Sequence, residues 1–221
     1  MRYHPVYLDL RGRRCVVVGG SDVAQDKVES LLEADARVTV VSPLLTTALG
    51  ALAETHEILH HPRSYRSGDL TDAVLAYVAV DDEVEQTAVA TDALAAGVLV
   101  NVVDMPRLCT FIAPAVVRRE PVVIAISTGG ASPALARRLR EELEAHVGAE
   151  YGVAATILAR LRPLLRAAEP DPDARARTFA RLVDGPLLDA LRARDAAGVD
   201  AILRAAAGEG ATLGALGVAL H

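Results

Sequence analysis

Val16-Val17-Val18-Gly19-Gly20-Ser21-Asp22-Val23-Ala24 is the stretch that decides the fold. The apolar, β-branched run Arg14–Val18 leads directly into two glycines and then into an amphipathic segment, a pattern that predicts strand, tight turn and helix. In that helix Val23, Lys27, Val28, Leu31 and Leu32 are expected to form the apolar stripe, with Gln25, Asp26 and Glu29 opposite. Arg37–Val41 supplies the next strand, so residues 14–41 make one βαβ unit. Further strands are expected near Glu57–His60, at Ala73–Val80 and at Val98–Val102, with a helix over Glu83–Ala96. This alternation predicts an α/β fold built on a doubly wound parallel sheet.

A glycine turn between strand and helix is where the pyrophosphate of a dinucleotide docks. Gly19 exits the strand sharply, Ala24 lets the helix pack close to the sheet, and the amides around Gly20, Ser21, Asp22 and Val23 point toward an anion at the positive end of the helix dipole. The same turn also serves as a plain βα connection, and these residues leave both readings open. Ser21 occupies the place of the middle glycine, so a pyrophosphate would sit displaced or take a hydrogen bond from the hydroxyl. At the end of the second strand, where an acidic residue would hold an adenosine ribose, stand Ser42, Pro43 and Leu44. The ribose is therefore expected on backbone groups or on the Ser42 hydroxyl, with only a weak preference for NAD over NADP. Asp81 and Asp82 reach the same edge, either as site residues or as caps of the next helix.

After Asp104-Met105-Pro106 the rhythm changes. Thr110–Ile112, Ala115–Arg118 and Pro121–Ser127 read as short strands, and Ser132-Pro133 supplies a cap and first-turn proline for a helix with Leu135, Leu139, Leu143 and Val147 on one stripe. From Tyr151 on, helices are expected at Val153–Ala168, Ala174–Val183, Leu187–Arg194 and Val199–Ala207, divided by turn-forming clusters, with Gly208–His221 loosely held. Residues 1–112, 113–148 and 149–221 are thus expected as three modules. Asp104 leaves the fifth strand at the carboxyl edge and is the best catalytic candidate, although an Asx-type turn explains it equally well. The loop Ile126–Pro133, with Thr128, Gly129, Gly130 and Ser132, is followed by Arg137, Arg138 and Arg140 and forms a candidate anion-binding corner.

The 221 residues (23.2 kDa, 52% hydrophobic) are enough for a buried core but not for a long multi-enzyme architecture. With no Trp, two Phe, five Tyr and a net charge of −6, the chain is a poor match for base stacking or for attraction to nucleic acid. The basic residues are 22 Arg and the single Lys27, a bias that reads as genome composition rather than chemistry. Cys15 and Cys109 have neither zinc-site nor disulfide spacing. No segment reads as a signal peptide or a membrane span, so a cytoplasmic location is expected. His56, His60, His61 and His146 read as solvated or helix-end residues, and no resident metal site is expected.

VVGGSDVAQDKVESLLEADARVTVVSP, NVVDMPRLCTFIAP and AISTGGASPALARRLREELE, in this order and spacing, resemble the siroheme-synthase N-terminal family. The resemblance is strong over residues 1–150 and weaker beyond. It implies a Rossmann-like NAD domain, a small α+β dimerisation module, a C-terminal helical domain and a homodimer. The implied activity is NAD-dependent oxidation of precorrin-2 to sirohydrochlorin followed by Fe2+ insertion, with iron as a substrate. By the same resemblance Asp104 is the residue implicated in proton movement. Arg107, Arg118, Arg137 and Arg138 are candidates for the substrate's carboxylates, each with solvated surface charge as the plainer explanation. The family's turn usually reads GGGDVA, and a serine is common where Thr128 stands here. Two other readings remain at this point: a dehydrogenase without chelatase activity, and a non-catalytic NAD or tetrapyrrole sensor. The length is also expected to exclude the methyltransferase domain fused in some members. A scarcity of aromatic rings implies that a macrocycle is gripped mainly by arginines and loop amides, and that binding weakens with salt.

Overall fold

A computed structural model describes residues 3–220; Met1, Arg2 and His221, at the ends of the first and last expected modules, lie outside the described residues. The chain forms two compact units that meet in sequence between Ala113 and Pro114.

The first unit contains β1 (Arg14–Val18), α1 (Asp22–Leu32), β2 (Arg37–Val41), α2 (Thr47–Glu54), β3 (Ile58–His61), β4 (Ala73–Val78), α3 (Glu83–Ala96) and β5 (Leu99–Val102). All strands are parallel, in the order β3-β2-β1-β4-β5. Side chains alternate along β1: Val16 and Val18 enter the core shared with Val89, Ala90 and Ala93 of α3, while Cys15 and Val17 enter the core shared with Ala24, Val28 and Leu31 of α1 and Leu49 of α2. Burial on both faces explains the unbroken apolar runs and gives the doubly wound arrangement. Cys15 is fully buried, and burial pushes its thiol up to about 11, so it acts as a small apolar core residue.

Several details differ from the sequence reading. Val23 is exposed, because the buried face of α1 runs through Ala24, Val28 and Leu31. Helix α2 was not anticipated. Thr110–Ile112 is not a strand; it lies along β5 through one backbone bond, Thr110 N to Val100 O (2.8 Å), and side-chain bonds. His60 and His61 are half-buried on β3 rather than solvated: His60 Nε2 donates to the Ser42 carbonyl at 2.9 Å.

No helix fills the connection from β3 to β4. A polar staple orders it instead: Arg63 grips both carboxylate oxygens of Asp69 at 2.7 Å, Arg66 N donates to Asp69 at 2.8 Å, and Arg14 donates to the Asp69 and Thr71 carbonyls. Leu70, beside that staple, is buried in the core.

The second unit contains an antiparallel hairpin, β6 (Ala115–Arg119) and β7 (Val122–Ile126), then α4 (Pro133–His146), α5 (Ala149–Ala168), α6 (Pro172–Asp184), α7 (Leu187–Arg192) and α8 (Ala196–Ala207). Arg119 closes the end of α4 by donating to the Val147 and Glu144 carbonyls at 2.8 and 3.0 Å. The core of α5–α8 is Ile157, Leu161, Leu182, Leu187, Val199 and Leu203. The C-terminal segment is not loosely held. Ala211, Leu213 and Leu216 are buried in the same core, Leu213 N donates to Asp200 at 2.7 Å, and Arg160 donates to the Leu216 carbonyl at 2.7 Å.

The Arg63 guanidinium, hydrogen-bonded to Asp69, holds that carboxyl below its ordinary value of 3.8. A depressed folded value stabilises the ionised form, so the contribution is complete above 3.8 and lost as pH falls through the folded value. Asp69→Asn is therefore expected to lower the thermal midpoint at neutral pH, with the deficit shrinking in acid; a deficit independent of pH would refute the assignment.

Candidate functional site

The candidate residues collect where strands end. At the exit of β1, Gly19 adopts φ +123°, and a Cβ there would lie 2.2 Å from the Ala79 carbonyl oxygen. A Cβ on Gly20 would lie 1.9 Å from the Leu44 carbonyl oxygen and 2.8 Å from Ser42 Oγ. The two glycines thus let the β1 turn pass between the segments leaving β4 and β2. Gly19 N donates to Val41 O at 2.9 Å, and Gly20 O accepts from Thr46 N at 3.0 Å.

Ser21 stands at the start of α1 in an extended conformation that any residue adopts, and its exposed hydroxyl makes no capping bond. The first-turn amides of α1 are left without a side-chain cap, which suits an anion at the helix N-terminus. An uncapped helix start, reached through a glycine turn packed too closely for any Cβ, fits the pyrophosphate of a dinucleotide. Asp22 and Val23 are exposed in the first turn, and Ala24 is buried against the sheet. Ser42 corrects the expectation of a free hydroxyl for a ribose: the residue is 6% exposed and its Oγ donates to Leu44 O at 2.6 Å. Pro43 and Leu44 are exposed, Leu44 by 80%. Asp82 caps α3 by accepting from Val84 N (2.7 Å) and Glu85 N (2.9 Å), whereas Asp81 remains exposed at the sheet edge.

Two residues missed in the sequence frame this turn. Thr46 caps α2 by accepting from Leu49 N at 3.2 Å and donates its hydroxyl to Gln25 at 2.8 Å, tying the start of α2 to α1. The Thr46-Thr47 pair before an Ala- and Leu-rich run was the available signal. Gln86 of α3 is buried and donates to Val80 O at 2.6 Å, which fixes the segment after β4.

Asp104 follows β5 at the same carboxyl edge, with β4 between it and the glycine turn. Its φ is +58°, and Met105 N donates to Val102 O at 3.2 Å across the turn. Among the described residues its exposed carboxylate has no hydrogen bond or ion pair, so it does not form an Asx turn. Arg107 approaches Glu83 at 3.9 Å, with both side chains largely exposed, a weak pair that leaves the guanidinium available.

Thr128, Gly129, Gly130, Ser132 and Arg137 belong to the second unit. Their loop is internally satisfied: Thr128 Oγ1 accepts from Ser132 N (3.0 Å) and donates to Ser132 O (3.1 Å), and Ser132 Oγ accepts from Leu135 N (3.2 Å). Gly129 and Gly130 have φ +66° and +86° with open space around them. Arg138 pairs with Glu142 at 2.7 Å and Arg140 with Glu144 at 3.5 Å, while exposed Arg137 has no such partner among the described residues. Among the described residues no cluster of three His, Cys, Asp or Glu side chains is placed to hold a metal ion, and no helix is long and apolar enough to cross a membrane.

Three family models match in succession. One described as "Putative NAD(P)-binding" covers residues 6–115, "Sirohaem biosynthesis protein central" covers 119–146, and "Sirohaem synthase dimerisation region" covers 150–206. Similar relatives include the siroheme synthase of Chromobacterium violaceum, 41% identical over 98% of this chain and 46% of that protein. The siroheme synthase of Thioalkalivibrio sulfidiphilus is 42% identical over 86% of this chain and 39% of that protein. The chain spans less than half the length of these curated relatives. A solved structure titled SirC, precorrin-2 dehydrogenase, shares the fold: TM-score 0.78 and 22% identity, covering 92% of this chain and 98% of that one.

Gly19→Ala and Gly20→Ala each force a Cβ into a backbone carbonyl and are expected to cost about 2 kcal/mol or more. Gly129→Ala meets no neighbour and should cost only the left-handed backbone penalty, about 1 kcal/mol. Urea denaturation checks the order; equal costs would contradict the close approach.

Proposed function

Since this chain belongs to the siroheme-synthase N-terminal family, we propose that it oxidises precorrin-2 to sirohydrochlorin with NAD and then inserts Fe2+ to give siroheme. The observation that carries the reading is the position of Asp104, an unspent carboxylate leaving the same sheet edge as the glycine turn. Gly19, Gly20, Ser21, Asp22, Val23 and Ala24 would hold the pyrophosphate, with Pro43, Leu44 and Asp81 around the rest of the dinucleotide, while Ser42, its hydroxyl spent on Leu44, fixes the segment behind them. NAD, when bound, supplies the hydride acceptor, so that precorrin-2 loses a hydride and a proton and yields sirohydrochlorin, NADH and H+. Asp104 accepts that proton as general base. Insertion of Fe2+, here a substrate, displaces two pyrrole protons, which the same carboxylate takes in turn and passes to water.

Precorrin-2 is a polycarboxylate, and Arg137, free of the pairings that occupy Arg138 and Arg140, is assigned to it. Arg107 and the loop at Thr128, Gly129, Gly130 and Ser132 complete the substrate set. Recognition by charge in place of stacked rings makes binding salt-dependent. We place the protein in the cytoplasm, in keeping with two free cysteines.

The chain is proposed to act as a homodimer through its second unit, which begins at Pro114 and takes in the modules expected at 113–148 and 149–221. Supporting this, α4 buries none of its residues within the chain, and Leu135 and Leu139 on its stripe are 51% and 36% exposed. A two-stranded sheet such as β6–β7 also needs further cover. The family model described as a dimerisation region lies over residues 150–206, which extends the expected dimer surface from the hairpin module into the helices.

Absorbance of precorrin-2 with NAD+, followed by Fe2+, tests the activity. Asp104→Ala should reduce sirohydrochlorin formation roughly a hundredfold or more with the fold retained; near-parental turnover would overturn the role of Asp104. Sirohydrochlorin and Fe2+ without NAD+ isolate the second step, and no acceleration there would restrict the function to oxidation. Leu139→Glu should convert dimer to monomer in light scattering, whereas an unchanged dimer would exclude this face.

A further inference from the structure

The turn that carries Asp104 is held by groups that the proposed reaction does not use. β5 is the last strand of its sheet, and successive residues of a strand offer their backbone groups to opposite sides. Val103 N is spent on Val78 O of β4 at 2.9 Å. Val100 and Val102 face the other way, toward an edge with no further strand.

Side chains from the following segment occupy that edge. Thr110 takes both groups of Val100: its Oγ1 accepts from Val100 N at 2.8 Å and its own N donates to Val100 O at 2.8 Å. Cys109 does the same one step closer to the site. Its Sγ accepts from Val102 N at 3.2 Å, and its S–H has the Val102 carbonyl at 3.3 Å and the Met105 carbonyl at 3.4 Å. Asn101 Nδ2 donates to Phe111 O at 3.0 Å and holds the far end of the segment. The thiol therefore touches Val102 and Met105, the two residues that bracket Val103 and Asp104. Asp104 itself has φ +58°, a conformation that an L-residue keeps only when its surroundings impose it.

We propose that Cys109 is a positioning residue for Asp104: its thiol clasps both ends of the two-residue turn and so fixes the direction of the carboxylate. This rests on the reading of Asp104 as the proton-moving residue. Serine at 109 keeps a donor and an acceptor, whereas valine fills similar space with neither. The glycine turn lies on β1, two strands away, so the clasp has no part in holding the dinucleotide.

The test compares the parent with Cys109→Val, Cys109→Ser and Asp104→Ala, by turnover of precorrin-2, NAD+ affinity and amide hydrogen exchange at residues 103–105. Cys109→Val should speed exchange at Met105 and lower kcat about tenfold with NAD+ affinity unchanged, since small misplacements of a reacting group are costly. Cys109→Ser should recover most of both. Unchanged exchange in Cys109→Val overturns the clasp. Faster exchange with full turnover, while Asp104→Ala is inactive, overturns its role in positioning. Full turnover in Asp104→Ala strikes at the proposed function instead, and exchange still decides whether the thiol holds the turn.

Discussion

The first unit depends on two places where the chain has no room for a Cβ. Gly19 meets the carbonyl of Ala79 and Gly20 that of Leu44, so the exits of β4, β1 and β2 lie in backbone contact at the carboxyl edge. No side chain can be accommodated without parting them. The amides of α1 begin where these three exits converge, and Thr46, bonded to Gly20 and Gln25, keeps the start of α2 in the same group. The turn proposed to hold the dinucleotide is thus a product of packing as much as a device for binding.

Elsewhere the unit completes itself with polar groups where helices or strands are lacking. Asp69, with Arg63, Arg66 and Arg14, orders a connection without a helix, and Cys109 and Thr110 stand in for a strand beside β5. Such substitutions protect an exposed edge from pairing with another chain. The second unit follows another logic: its helical core closes on itself through Ile157, Leu161 and Leu203, while Leu135 and Leu139 of α4 are left exposed within the chain.

Elements with strong local signals were legible in the sequence. β1, β2 and α3 stand at the expected residues; α3 is bounded by the Asp82 cap and by Gly97 at φ +68°. α2 was not legible because an eight-residue, Ala-rich helix carries little period beyond its Thr46 cap. The tail from Gly208 read as loose because its apolar residues are separated by glycines, and only the tertiary core shows Ala211, Leu213 and Leu216 buried. In the site, the glycine turn and Asp104 stood out through their position after strands. The engagement of the Ser42 hydroxyl and the freedom of Arg137 could not be read. Arg137, Arg138 and Arg140 all have a carboxylate four residues on, yet among the described residues only the last two pair with it.

The strand order also bears on synthesis. β1, translated before the other strands of its sheet, lies at the centre of that sheet and pairs with β2 and β4. Its second neighbour is complete only at Val78, so this apolar strand waits for a partner translated more than fifty residues later. Parallel pairing over such separations is slow, whereas the hairpin and helices beyond Pro114 are dominated by contacts between near neighbours in the chain. Emergence of β4 completes the pairing of β1 along both edges, but Val16 and Val18 are covered only when α3 follows, and until then those residues are the natural ligand for a holding chaperone.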